Sequence, residues 1–293
     1  MSEKILEKIR HRRKAQLLLI LSLPLAFYII YFLIPFIAAV GVSVGLILPR
    51  EVQLQRGEVI TLRYYMDAIN PIFLKVLGKS LYIAVATTVL CLVLGYPLAY
   101  YVAFKGGRYR NVLILLVIVP FWVTFLLRAY AMLSLLSPEG VLNSFLINTG
   151  IISKPLFLIY NENAVLLGMV YGYLPFTVLP LYASLEKISR VYVEAAKVLG
   201  ASPVRAFLHV TLPLSKPGLV AGTLLTFIPS AGEFIIPEFL GGPNEFFVGN
   251  MIYSAFIEAQ NWNWGASIAT IYIAIVIAGI MLYLKYVGEE LRI

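Results

Sequence analysis

Side chains capable of catalysis are scarce in this chain. Its 293 residues hold two histidines, His11 and His209, and one cysteine, Cys91. His11 lies in a basic tail and Cys91 in an apolar run, so no disulfide or thiolate cluster can form within the chain, and metal or acid–base chemistry has almost no material. HExxH and CxxC are both absent. The nearest approach to a phosphate-binding loop is FLKVLGKS, ending in Gly78, Lys79 and Ser80. Phe73 occupies the place of the first glycine, so the close backbone approach that a phosphate needs is lost. No catalytic, cofactor or metal residue is expected.

Two charged residues stand out instead because they lie inside apolar runs: Arg128 and Glu233. The elements that must position them follow from composition. Hydrophobic residues make up 60% of the chain and charged ones 13%, with a mean hydropathy of +0.88, against roughly 25% charged in a soluble domain. This is the composition of an integral membrane protein. The segments of about 20 apolar residues that a bilayer requires are 17–47, 79–104, 111–136, 164–185, 217–240 and 265–287, which predicts an all-α, polytopic chain with six transmembrane helices. The first apolar run is too long for a signal peptide and reads as a retained helix. A basic tail, 1–16, precedes a single membrane domain over 17–293.

The net charge of +8 reads as topology and not as a nucleic-acid footprint. Sixteen Lys and Arg fall in the segments on the side of the termini and five in the opposite loops, which places both termini in the cytoplasm. Arg128 and Glu233 then lie roughly 24 and 22 Å along helices three and five. At similar depth they are candidates for a structural ion pair. The alternative is that Glu233, after Pro229 and beside Gly232, faces a pathway and attracts a cation. Pro229 bends its helix in either case. Tyr173, with Tyr171 and Phe176, is a candidate to line such a path through its ring face.

The cytoplasmic loop 186–216 reads as helix, break, helix. Ser189 caps a first helix, Gly200 stops it, and Ser202 with Pro203 starts a second. Val191, Ala195, Val198 and Leu199 fall on one face, leaving Arg190, Glu194 and Lys197 on the other. Periodicity alone fits an amphipathic elbow among lipid headgroups equally well.

Glu194, Ala195, Ala196, Gly200, Val210, Leu212 and Pro213 also match the pattern EAA, three residues, Gly, nine residues, Ile, any residue, Leu-Pro, with Val210 for Ile. This resembles the signature loop of permease subunits of binding-protein-dependent ABC importers. The resemblance implies the type I importer permease fold in the inner membrane, and a loop that docks on a separate ATPase. Glu194 would be a polar contact there, Ala195 and Ala196 the close-approach surface, Gly200 the turn, and Pro213 the close of the pattern. The implied partners are two ATPase subunits, a second homologous permease and an extracytoplasmic solute-binding protein, with no ATP hydrolysis by this chain.

Residues 119–143 and 228–252 further resemble the B-type permeases of spermidine/putrescine importers, which implies a polyamine substrate. The alternatives are a permease of the same kind for another small solute, or a proton-coupled secondary transporter using Glu233. The latter predicts inverted repeats or several broken helices with polar midplane residues, and the sequence displays neither.

Overall fold

The structure, a computed structural model, describes residues 20–46, 60–243 and 245–289. The basic tail 1–16, with His11, and the last four residues lie outside the described set. All regular elements among the described residues are helical. In chain order we label α1 (Ile20–Ser43), α2 (Arg63–Ala68), α3 (Pro71–Lys105), α4 (Arg110–Ile118), α5 (Phe125–Leu136), α6 (Val141–Asn148), α7 (Glu162–Leu185), α8 (Arg190–Val198), α9 (Pro203–Ala206), α10 (Lys216–Ala231), α11 (Ile235–Leu240), α12 (Val248–Tyr253) and α13 (Trp262–Glu289).

The described residues up to 69 together with 255–271 form one compact unit, and the described residues of 70–254 and 272–289 another. In the first, the carbonyls ending α1 are taken by side chains from the start of α13. Asn263 donates to Val42 O at 2.6 Å and Ser267 to Ser43 O at 3.2 Å. Over most of its length α1 exposes apolar side chains, Leu23 and Tyr31 among them, as a helix bathed in lipid does.

The second unit is built on α7, against which α3 and α10 pack. Small residues set how closely. A Cβ on Gly218 would lie 2.5 Å from Ser184 Cβ and 2.8 Å from Pro180 O, and one on Gly222 3.2 Å from Thr177 O. These two glycines, spaced as GxxxG, let the α10 backbone lie against α7, as in close helix crossings within lipid. One turn further on, the buried hydroxyls of Thr177 and Thr226 bond each other at 2.6 Å. On the other side of α7, a Cβ on Gly95 of α3 would meet Val178 at 3.2 Å.

Among the described residues, five helical stretches are long and apolar enough to cross a membrane: Ile20–Ser43, Pro71–Lys105, Phe125–Asn148, Glu162–Leu185 and Trp262–Val287. The segment expected at 217–240 is absent from that set because it is interrupted: α10 stops at Ala231 and α11 starts at Ile235. The segment expected at 111–136 is interrupted too, by a 3-10 turn over Val119–Trp122 and extended backbone at Val123. At the first place an apolar run hid the break from the sequence reading; at the second, Pro229 signalled a bend, and the structure turns that bend into a full interruption. Replacing Gly218 by Leu forces α10 away from α7, and an overpacking cost of roughly 1–3 kcal/mol is expected. Thermal unfolding of the purified protein in detergent should show a lowered midpoint, with Gly279→Leu, where an added Cβ meets nothing within 4 Å, unchanged.

Candidate functional site

Both interruptions lie beside the middle of α7. At the first, Pro120 lacks an N–H, the chain turns, and Thr124 restarts the helix by accepting from Leu127 N at 3.4 Å. Phe121 packs on Phe176 with ring centroids 4.8 Å apart, and Phe125 on Tyr173 at 5.7 Å. At the second, α10 ends two residues past Pro229 and leaves carbonyls without helical partners. Tyr272 answers one of them, its hydroxyl donating to Ala231 O, and the Tyr173 hydroxyl lies 3.4 Å from Pro229 O.

Glu233 sits in that gap. Its Oε1 accepts from Phe234 N at 3.0 Å, Ile235 N at 2.7 Å and Ile236 N at 3.4 Å. Its Oε2 accepts from the Tyr173 hydroxyl. The carboxylate therefore supplies acceptors to the amides that open α11, where negative charge is also favoured by the peptide dipoles.

Arg128 is not joined to Glu233 by an ion pair. The buried guanidinium donates to Gly172 O at 3.2 Å and lies over the rings of Phe121, at 5.3 Å, and Phe125, at 4.8 Å. The equal depth read from the sequence is real, since Gly172 and Tyr173 are neighbours on α7. The pairing fails because the carboxylate is saturated by backbone amides and a phenol, while the planar guanidinium stacks between aromatic faces. The void among Phe125, Arg128, Tyr171, Gly172, Ile236 and Leu240 is about 10 Å³, so no passage opens through the body of the unit at this point. Tyr173 is buried, Tyr171 points outward, and Gly232 and Phe234 are exposed on the outer side of the break.

At the end of α7 lies the loop 186–216. Ser189 accepts from Val191 N at 3.4 Å and starts α8. Gly200, at φ +85°, ends it, with Gly200 N–H on Lys197 O and Ala201 N–H on Ala196 O, both 3.0 Å, the paired bonds of a Schellman stop. Ser202 accepts from Arg205 N at 3.3 Å and starts α9. Glu194 and Ala195 are exposed and Ala196 half-buried. The described residues leave the apolar face uncovered: Val191 is 65% exposed and Val198 and Leu199 each 87%. Pro213 is exposed in the turn that leads to α10.

Two arginines anchor the loop, and sequence reasoning missed both. Arg190 donates to Phe104 O at 2.8 Å. Arg110 bonds the Tyr182 hydroxyl and pairs with Glu186. The Tyr182 hydroxyl, and with it Arg110, holds the Glu186 carboxyl below the usual carboxylate range.

Lys79 and Ser80, far from forming a phosphate loop, lie inside α3. Lys79 pairs with Glu245, lies 4.0 Å from Glu162 and sits over the Phe247 ring, while Ser80 Oγ accepts from Val248 N at 2.8 Å. Such partners are distant in sequence and carry no local signal.

An all-helical membrane protein, with two helices interrupted at one level and a rigid, uncovered lever at one end, is a transport protein of the permease class. The model of the family "Binding-protein-dependent transport system inner membrane component" matches residues 92–291, and the chain belongs to that family. The spermidine/putrescine transport system permease protein PotB of Escherichia coli K12 is 39% identical over 233 residues, covering 80% of this chain and 84% of that one. PotB of Haemophilus influenzae is 40% identical over 210 residues, 72% and 73% of the two chains. The inner membrane ABC transporter permease protein YdcU of E. coli K12 is 31% identical over 242 residues, 78% and 75%. Among solved structures, a bacterial ABC transporter involved in import of the acidic polysaccharide alginate superposes with a TM-score of 0.77 at 17% identity, covering 99% of this chain and all of that one. The MetNI methionine ABC transporter in inward-facing form gives 0.57 at 16%, over 74% and 95%. At those identities the structures speak for the fold, that of type I importer permeases.

Two measurements follow from the geometry. In a double-mutant cycle read by thermal unfolding, Tyr173→Phe and Glu233→Gln should couple by about 1–2 kcal/mol, as hydrogen bonds to charged groups do. Arg128→Met and Glu233→Gln should couple by less than about 0.5 kcal/mol; strong coupling there would restore the ion pair. The second concerns pH. Because the folded carboxyl of Glu186 titrates lower than the unfolded one, its anchoring contribution is complete above the unfolded value, about 4.3, and is lost as pH falls through the folded value. Hydrogen exchange of residues 186–200, corrected for intrinsic rates, should be flat from about pH 8 to 5, whereas Glu186→Gln should raise exchange throughout that range.

Proposed function

We propose that this chain is the permease subunit through which an ATP-driven importer moves a polyamine of the spermidine/putrescine type, forming half of the translocation pathway. The observation that carries the coupling role is the loop 186–216. It is a capped, Schellman-stopped lever anchored to the α3–α4 turn, and its apolar face is left for another protein. Glu194, Ala195, Ala196, Gly200 and Pro213 are its working positions, and two ATPase subunits press on it from the cytoplasm, where both termini also lie. The substrate class rests on the PotB relatives and on the acidic and aromatic groups at the break. The other partners are a second homologous permease and an extracytoplasmic solute-binding protein, and the membrane domain runs over 17–293.

The closed packing between α5, α7 and α11 supports a pathway on a face of the chain, completed by the second permease. Glu233 and Tyr173 lie behind that face and set the shape of the break. Closure of the ATPases would move α8, and through Arg190 and Arg110 the ends of α3 and α4, so the first interruption shifts relative to α7. Two rigid segments joined at a break can pivot without stretching helical hydrogen bonds.

The complex of both permeases, ATPase and binding protein in liposomes tests the reading. ATP-dependent uptake of labelled spermidine or putrescine is expected, with amino acids and oxyanions inert. Glu194→Arg and Gly200→Pro, the latter forcing φ near −65° where the chain needs +85°, should abolish uptake while leaving membrane insertion intact. Normal transport by both variants would remove the coupling role; uptake of an anion or amino acid alone would remove the polyamine assignment.

A further inference from the structure

We infer that Glu238, with the stacked rings of Phe234 and Tyr253 and the amide of Asn250, forms a subsite that binds an alkylammonium group on the outer face of the helix break. The inference rests on the polyamine reading and names the residues that meet the substrate.

Glu238 follows Phe234 by four residues, and its N–H donates to Phe234 O at 3.0 Å, so the carboxylate and the ring share one face of α11. Asn250 and Tyr253 are three apart and share one face of α12. Gly249 brings these faces together: a Cβ there would lie 2.8 Å from Glu233 O and 2.9 Å from Phe234 Cβ. With that close approach, the Phe234 and Tyr253 rings stack at 5.5 Å and 15°. Asn250 Nδ2 donates to Glu238 Oε2 at 2.7 Å and to Phe234 O at 3.2 Å.

Three features mark a place prepared for a cation. First, Glu238 is exposed, and no Lys or Arg pairs with it among the described residues. The nearby acids of the same end, Glu162 and Glu245, share Lys79, and Glu233 is spent on α11. Second, the Asn250 amide, 4% exposed, donates to Glu238 Oε2 and so fixes the carboxylate beside the rings without neutralising it. Third, both rings present area to solvent, Phe234 at 36% and Tyr253 at 45%, which gives an alkylammonium a π face beside the carboxylate. One carboxylate falls short of the six to eight oxygens that calcium takes, and an anion is repelled. An organic ammonium answers the charge at Glu238 and lays its apolar stem on the rings.

The same reconstituted complex tests the site through the concentration dependence of spermidine uptake. Glu238→Gln keeps an acceptor for Asn250 and removes the charge, and the KM for spermidine should rise roughly tenfold or more, the scale of a lost hydrogen bond to a charged group. Glu238→Asp should retain much of the affinity. Tyr253→Leu, at an exposed position that does not threaten assembly, should raise KM about three- to tenfold. Wild-type KM in both Glu238→Gln and Tyr253→Leu, with wild-type uptake of polyamine intact, would overturn the subsite and leave the polyamine reading standing. A wild-type complex that takes up no polyamine would overturn both. If Glu238→Gln fails to assemble, Tyr253→Leu alone decides, unchanged KM counting against the site.

Discussion

A peptide N–H or C=O left without a partner in hydrocarbon costs several kcal/mol, and this chain interrupts two helices where apolar residues surround them. The arrangement of the second unit follows from meeting that cost. At the α10–α11 gap the open carbonyl of Ala231 is met by the Tyr272 hydroxyl, and the open amides of α11 by Glu233. Tyr173 fixes the carboxylate in the gap, its hydroxyl donating to Glu233. At the α4–α5 gap Thr124 caps the new helix, and Arg128 reaches back to the α7 backbone. A break stabilised in this way is a fixed joint with a defined shape. That is what a moving part needs, because an unsatisfied break would close up into continuous helix or draw in water.

α7 is the element against which the joints are set. It is tightly packed on α3 and α10 through small residues, and its Gly172, Tyr173 and Phe176 meet both interruptions. The loop 186–216 springs from its end. A lever attached to the most buried helix, and tied by Arg190 and Arg110 to the turn between α3 and α4, transmits displacement through packed side chains. Gly200 makes the lever rigid in a particular way: at φ +85° the chain reverses within two residues, and both helices of the loop are capped by serines.

Much of this was legible residue by residue. The helical class, the polytopic character and the helix, break, helix form of the loop follow from rules that act over three to twenty neighbours. The loop's residues are specified locally enough that their spacing also pointed to the family. Lys79 and Ser80 were legible only as a failed nucleotide motif, and the breaks at Val119–Val123 and Gly232–Phe234 were read as continuous span. Pro229 signalled a bend, but a proline in a membrane helix can equally kink it and leave it whole. Asn250, Tyr272 and Arg110 carried no signal, because the groups they satisfy belong to other segments.

The sequence by itself determined composition, membrane residence, approximate spans and the local geometry of the loop, since each depends on the hydropathy or backbone preference of adjacent residues. Only the tertiary structure decided where Arg128 and Glu233 go. The sequence placed them at one depth and suggested a pair; the fold gave the guanidinium to aromatic faces and a carbonyl, and the carboxylate to the amides of a helix start. An ion's partner is chosen by which polar groups would otherwise be left bare, and those are created by breaks and crossings that exist only once distant segments are packed together.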